Sequence, residues 1–136
     1  MISERQLLAM PEEEYMNEEQ LAFFRNLLLQ NKAEIEEQLE GIRTQIIGQE
    51  READELDRAL TEEENRQRLR MADRQTKLMH KVVKTLKKIE EGEYGYCKIS
   101  GEPIGLRRLL LRPTADLCAE EKARQESRET HYIKLR

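Results

Sequence analysis

The chain has 136 residues, a formal charge of -4, and equal shares, 38% each, of hydrophobic and charged residues. Ala, Glu, Lys, Arg and Leu fill 75 positions, against six aromatic residues and nine Gly or Pro. This balance favours long helices with a narrow apolar seam and works against sandwiches, barrels and doubly wound sheets. Apolar runs end after three or four residues, far short of the about 20 that a membrane span needs, and Glu4 and Arg5 interrupt the start where a secretion signal would be apolar. A soluble, cytoplasmic protein is expected.

Residues 1–16, broken at Pro11, read as an N-terminal segment packing on a small globular base. Asn17 can cap a helix, with Gln20 three residues on returning the bond as in a capping box. Leu21, Phe24, Leu28, Ile35, Leu39, Ile42 and Ile46 then recur at helical spacing and draw one apolar face to about Ile47. Gly48 and the polar stretch after it predict a turn, with its tip at about 48–59. A second helix runs to about Glu91, with Met71, Ala72, Leu78, Met79, Val82, Val83, Leu86 and Ile89 on its buried side, and Gly92 and Gly95 end it. Residues 17–91 thus read as a long antiparallel coiled-coil hairpin whose far half is poor in core residues. Residues 92–118, with apolar runs separated by Gly101 and Pro103, read as a small two-stranded knuckle, and an amphipathic C-terminal helix follows over 119–136. The fold class is mainly α.

Charge is strongly polarised along the chain. Residues 1–65 hold six basic and eighteen acidic side chains, residues 66–88 nine basic and one acidic, and the remainder nine of each. Arg70, Arg74, Lys77, Lys81, Lys84 and Lys88 step by three and four residues, which makes one stripe along a helix. Such a stripe can complement an acidic neighbouring helix, or hold an acidic protein surface or a phosphate-bearing ligand. Sequence-specific DNA binding is not expected, because the whole chain is acidic and no aromatic interleaves with the stripe.

Cys97, Ser100, Cys118 and Glu121 stand at the spacing of a four-cysteine zinc knuckle with the second and fourth ligands replaced. A serine hydroxyl stays protonated near neutral pH and is a weak zinc ligand, so a knuckle held without metal is favoured. Were zinc bound, Cys97, Cys118 and Glu121 would be its ligands, with Ser100 at the remaining position. His80 and His131 lie far from both cysteines in the sequence. No phosphate loop, zinc-protease motif or nucleophile elbow is present, and the chain is not expected to be an enzyme.

Asp54, Asp57 and Ala59 stand at the hairpin tip as Asp-x2-Asp-x-Ala. Together with the segments EEEYMNEEQLAFFR at 12–25, TLKKIEEGEYGYC at 85–97 and IGLRRLLLRPTADLC at 104–118, they make the chain resemble the DksA/TraR family of RNA polymerase-binding transcription factors. The resemblance implies a monomer that enters the secondary channel of RNA polymerase, carries its tip toward the active centre and alters open-complex stability together with ppGpp in the stringent response. It implies that Asp54, Asp57 and Ala59 act at the tip, that Arg74 grips the channel rim, and that Leu78, Lys81, Arg112 and Lys122 contribute to a ppGpp site at the interface with polymerase. Two other readings stand beside it. One is a Gre-like transcript-cleavage cofactor whose tip acids help hold Mg²⁺; the other is a generic coiled-coil adaptor.

Overall fold

The computed structural model describes residues 1–52 and 58–135. It contains five α-helices among these residues, α1 (Glu4–Ala9), α2 (Glu18–Glu52), α3 (Arg58–Glu91), α4 (Leu106–Leu111) and α5 (Ala119–Leu135), with one turn of 3-10 helix at Glu12–Glu14. The chain divides into two compact units, residues 1–27 with 85–136, and residues 28–84. Among the described residues no helix is long and apolar enough to cross a membrane.

In the first unit, α1 begins with a full capping box. The Ser3 hydroxyl accepts from the Gln6 amide at 3.2 Å, and the Gln6 side chain accepts from the Ser3 amide at 2.8 Å. The start of α2 differs from the expected box. Asn17 Oδ1 does accept from the Gln20 amide at 2.8 Å, but Gln20 Oε1 accepts from Met16 N at 2.8 Å and not from Asn17. The Asn17 amide is already donated to Glu14 O, so the Gln20 side chain serves the next free donor, which Met16 presents from a left-handed conformation at φ 58°.

Leu7, Phe24, Tyr94, Ile104, Leu109 and Leu117 form this unit's core, with Phe24 and Tyr94 ring centroids 5.6 Å apart. The expected two-stranded knuckle reduces to one antiparallel bridge, Tyr96 to Pro103, with Cys97 N donating to Glu102 O and Ile104 N to Gly95 O. Proline has no amide with which to extend a ladder. Beyond it the RRLLL run, read from the sequence as part of the knuckle, is the helix α4, which packs against α1. The approach to α5 stays irregular because Lys98 N donates to Asp116 O and Ala115 N to Arg112 O.

The second unit pairs the outer parts of α2 and α3. Leu28, Ile35 and Ile42 of α2 and Val82 of α3 are buried, and Leu39 and Ile46 are half-buried, which is the apolar face that the spacing predicts. Gly48 does not end α2, which continues to Glu52. One glycine costs a helix interior only about 1 kcal/mol, too little to stop a long helix by itself. Met71, Leu78 and Val83, expected on the buried side of α3, are exposed instead. A single partner helix covers a narrow stripe, and residues on the flanks of that stripe remain in water.

Candidate partner-binding site

Three groups of side chains carry the chemistry. The first lies on α3 in the second unit. Arg70, Arg74, Lys77, Lys81 and Lys84 are exposed, as the spacing of the stripe requires. Lys77 pairs with Asp73 at 3.0 Å. Arg74 lines a shallow hollow with Leu69, Arg70 and Met71, so a guanidinium that can fork onto a carboxylate stands beside apolar surface. Leu78 is exposed three residues before Lys81, on the same side of the helix. Such a combination suits a partner surface with acidic and apolar parts or a ligand with phosphate and a ring. His80 is exposed and adds nothing specific.

The second group belongs to the first unit. Arg112 is exposed at the end of α4, and Lys122 is half-buried in the first turn of α5, where its Nζ donates to Gln125 Oε1 at 3.2 Å. Cys97 is buried and Cys118 half-buried, both as free thiols. The Ser100 hydroxyl lies 3.8 Å from Cys118 Sγ and accepts from Glu102 N at 3.3 Å. Burial works against the Cys97 thiolate, but the Ser100 hydroxyl and the backbone amides of Ser100, Cys118 and Ile99 outweigh it and bring the thiol down to about 6. Glu121 is buried and paired with Arg124 at 2.5 Å.

The third group is the tip. Asp54 and Asp57 lie outside the described residues, and Ala59 is exposed in the first turn of α3.

The sequence reading missed the device that ties the N-terminal segment to the knuckle. The Tyr15 hydroxyl donates to Gly95 O at 2.6 Å and accepts from Gly105 N at 3.0 Å, joining the two arms of the knuckle on either side of the Tyr96–Pro103 bridge. Tyr15 also meets the Tyr96 ring edge-on at 5.6 Å. Met16 packs so closely on Gly95 that a Cβ there would come within 2.8 Å of its side chain, and Gly95 itself has φ 95°. A tyrosine flanked by acids and followed by Met-Asn carries no periodic signal that would have pointed to this role.

A sequence model of the N-terminal domain of DnaK suppressor protein DksA matches residues 20–89, and one of the prokaryotic DksA/TraR C4-type zinc finger matches residues 92–127. The chain belongs to the DksA family. It is 47% identical over 122 residues to the RNA polymerase-binding transcription factor DksA of Escherichia coli strain K12, spanning 88% of this chain and 80% of that protein. It is 44% identical over 119 residues to the DksA of Caulobacter vibrioides strain NA1000, spanning 87% and 84%. The solved structure of transcription factor DksA2 from Pseudomonas aeruginosa matches with a TM-score of 0.89 and 48% identity, over 95% of this chain and all of that one. The DksA family consists of transcription factors and not enzymes, in keeping with the lack of a catalytic motif.

The zinc implied by the C4-type finger does not fit the residues present. Two of the four donors are thiols, the third is a hydroxyl, and the fourth is a carboxylate already committed to Arg124. Among the described residues no three His, Cys, Asp or Glu side chains come together as a metal site.

Proposed function

We propose that this protein regulates transcription by binding RNA polymerase. It enters through the secondary channel as a monomer, acts in the cytoplasm and reads no DNA sequence. The observation that carries this reading is the 47% identity, sustained over 88% of the chain, to a factor named for binding RNA polymerase. The exposed basic stripe with Leu69, Met71 and Leu78 on its flanks supports it, since a channel rim with acidic and apolar parts would be recognised by such a face.

In this reading Arg74 grips the rim, and Asp54, Asp57 and Ala59 act after docking, near the catalytic elements of polymerase. Leu78 offers apolar surface to the guanine of ppGpp while Lys81, Arg112 and Lys122 supply cations for its pyrophosphates. The factor then alters the lifetime of the open complex jointly with ppGpp in the stringent response.

The deciding measurement is open-complex lifetime at a ribosomal RNA promoter, with and without this protein and ppGpp. The expected result is a changed lifetime that ppGpp changes further. Asp57→Asn should abolish that effect while polymerase affinity stays within about twofold. Loss of affinity in step with activity would remove the tip from the mechanism, and cleavage of the transcript in backtracked complexes would favour the Gre-like reading.

A further inference from the structure

Within residues 28–84 the apolar seam gives out before the helices do. Ile42 is the last buried apolar residue of α2, Ile46 is half-buried, Ile47 is exposed, and on α3 Leu60 is 63% exposed. Beyond Ile46, among the described residues, hydrogen bonds between polar side chains join α2 to α3. Gln49 Nε2 donates to Glu64 Oε2 at 3.0 Å, and Gln49 Oε1 accepts from Arg68 Nη1 at 2.5 Å. The same Nη1 donates to Asn65 Oδ1 at 3.1 Å and lies 3.8 Å from Glu64 Oε2. The Arg68 side chain is only 24% exposed, whereas that of Arg66, two residues away, is 59% exposed and pairs locally with Glu63.

Resting on the function proposed above, we propose that Gln49, Glu64 and Arg68 form a polar clasp that positions the helix ends flanking Asp54 and Asp57 in the sequence. Both ends of the Gln49 amide are engaged, one as donor and one as acceptor, so the clasp specifies a single facing of α2 on α3. Apolar side chains at these places would pack with at least equal stability but would accept several facings. Partial solvent exposure keeps the desolvation cost of Arg68 and Glu64 small, so directionality is gained without a large penalty. These are positioning residues. Their effect on polymerase runs through the placement of the tip and not through contact of their own.

The test uses the full chain and four variants, Arg68→Ala, Glu64→Arg, Arg68→Glu and the double exchange Glu64→Arg with Arg68→Glu. Alanine and arginine are good helix formers, so α3 itself should persist. Amide hydrogen exchange in 44–49 and 58–66 should speed up by about five- to thirtyfold in each single variant, and protection elsewhere should hold. The promoter effect should fall in the single variants, with polymerase affinity within about twofold of wild type. The double exchange should restore both protection and promoter effect, because the Gln49 amide can donate to the relocated carboxylate and accept from the relocated guanidinium. Unchanged exchange in the single variants, or a double exchange that rescues nothing, would overturn the clasp. Faster exchange with an intact promoter effect would overturn its positioning role, as would affinity falling in proportion to activity. A wild-type chain that does not bind polymerase would instead refute the proposed function, while the exchange data would still judge the clasp.

Discussion

The unit built from residues 1–27 and 85–136 and the unit built from residues 28–84 are held by different means. The first buries aromatic and aliphatic side chains together, Phe24 against Tyr94 with Leu7, Leu109 and Leu117 around them, and fixes its loops with phenol hydroxyls. Tyr15 bonds to Gly95 and Gly105, and Tyr94 donates to Pro113 O at 2.8 Å. The second has a one-stripe seam of Leu28, Ile35, Ile42 and Val82 and leaves Leu69, Met71, Leu78 and Val83 in solvent beside its cations. The first unit also leaves Ile99 and Leu111 in solvent, on separate elements, whereas the second ranges its exposed apolar side chains along one helix beside a stripe of cations, a surface suited to a partner.

The contrast is sharpest under truncation at the two kinds of site. Phe24→Ala should destabilise the protein by about 3–5 kcal/mol, because a fully buried ring leaves a cavity among rigid neighbours. A denaturant midpoint that barely moves would show that the first unit has no such core. Lys81→Ala should leave that midpoint nearly unchanged and weaken the ppGpp-dependent part of the promoter response by about 1.5–3 kcal/mol, the worth of a charge-assisted bond to phosphate. Unchanged ppGpp sensitivity would remove Lys81 from the proposed site.

Between these lies Tyr15→Phe. The ring and its edge-on contact with Tyr96 would survive, but the Gly105 amide and the Gly95 carbonyl would lose their shared partner, at a cost of about 1–3 kcal/mol. Accelerated hydrogen exchange confined to the knuckle is the expected signature. A variant as stable as the parent would show that the phenol does not hold the two arms.

The same contrast explains what could be read before the structure was known. The helix pair was legible because a periodic seam repeats its message at every turn, so Leu28, Ile35 and Ile42 each point to the same face. The lateral limits of that face were not legible. Whether Met71, Leu78 or Val83 is covered depends on the width of the partner, which periodicity does not encode. The stripe of cations was legible for the same reason as the seam, and the structure exposes five of its six members, with Lys88 half-buried. In the first unit the information is tertiary. Tyr15 and Gly95 are 80 residues apart, and the helix at Leu106–Leu111 begins just after a proline that ends the bridge, where an apolar run reads equally well as strand. Asp54 and Asp57 were singled out by the family pattern and lie outside the described residues.

A separate effect concerns acidity. The Cys97 thiol titrates near 6 in the folded chain against an ordinary value of 9.0, so the fold favours the thiolate. Its contribution is complete above about pH 9, declines as the pH falls and is lost on passing below about 6. Stability should therefore rise from pH 6 to pH 9 in the parent, and the slope should flatten in Cys97→Ser, measured as urea midpoints at several pH values. Parallel profiles for the two proteins would show that the thiol is not the titrating group.

Metal removal should have the smallest effect of all. A zinc finger collapses on chelation because thiolates gathered around a cation repel one another once it is gone, and little else holds the site. Here the negative charge on Cys97 is stabilised by the Ser100 hydroxyl and three backbone amides, Glu121 is satisfied by Arg124, and the loops are tied by Tyr15 and Tyr94. None of these contacts uses a metal. Prolonged exposure to a strong chelator should leave the thermal midpoint and the far-ultraviolet dichroism unchanged. One zinc per chain in protein purified without added metal, released together with structure, would mean that Ser100 and Glu121 rearrange to complete a donor set, and the difference between the two units would then rest on a metal and not on packing.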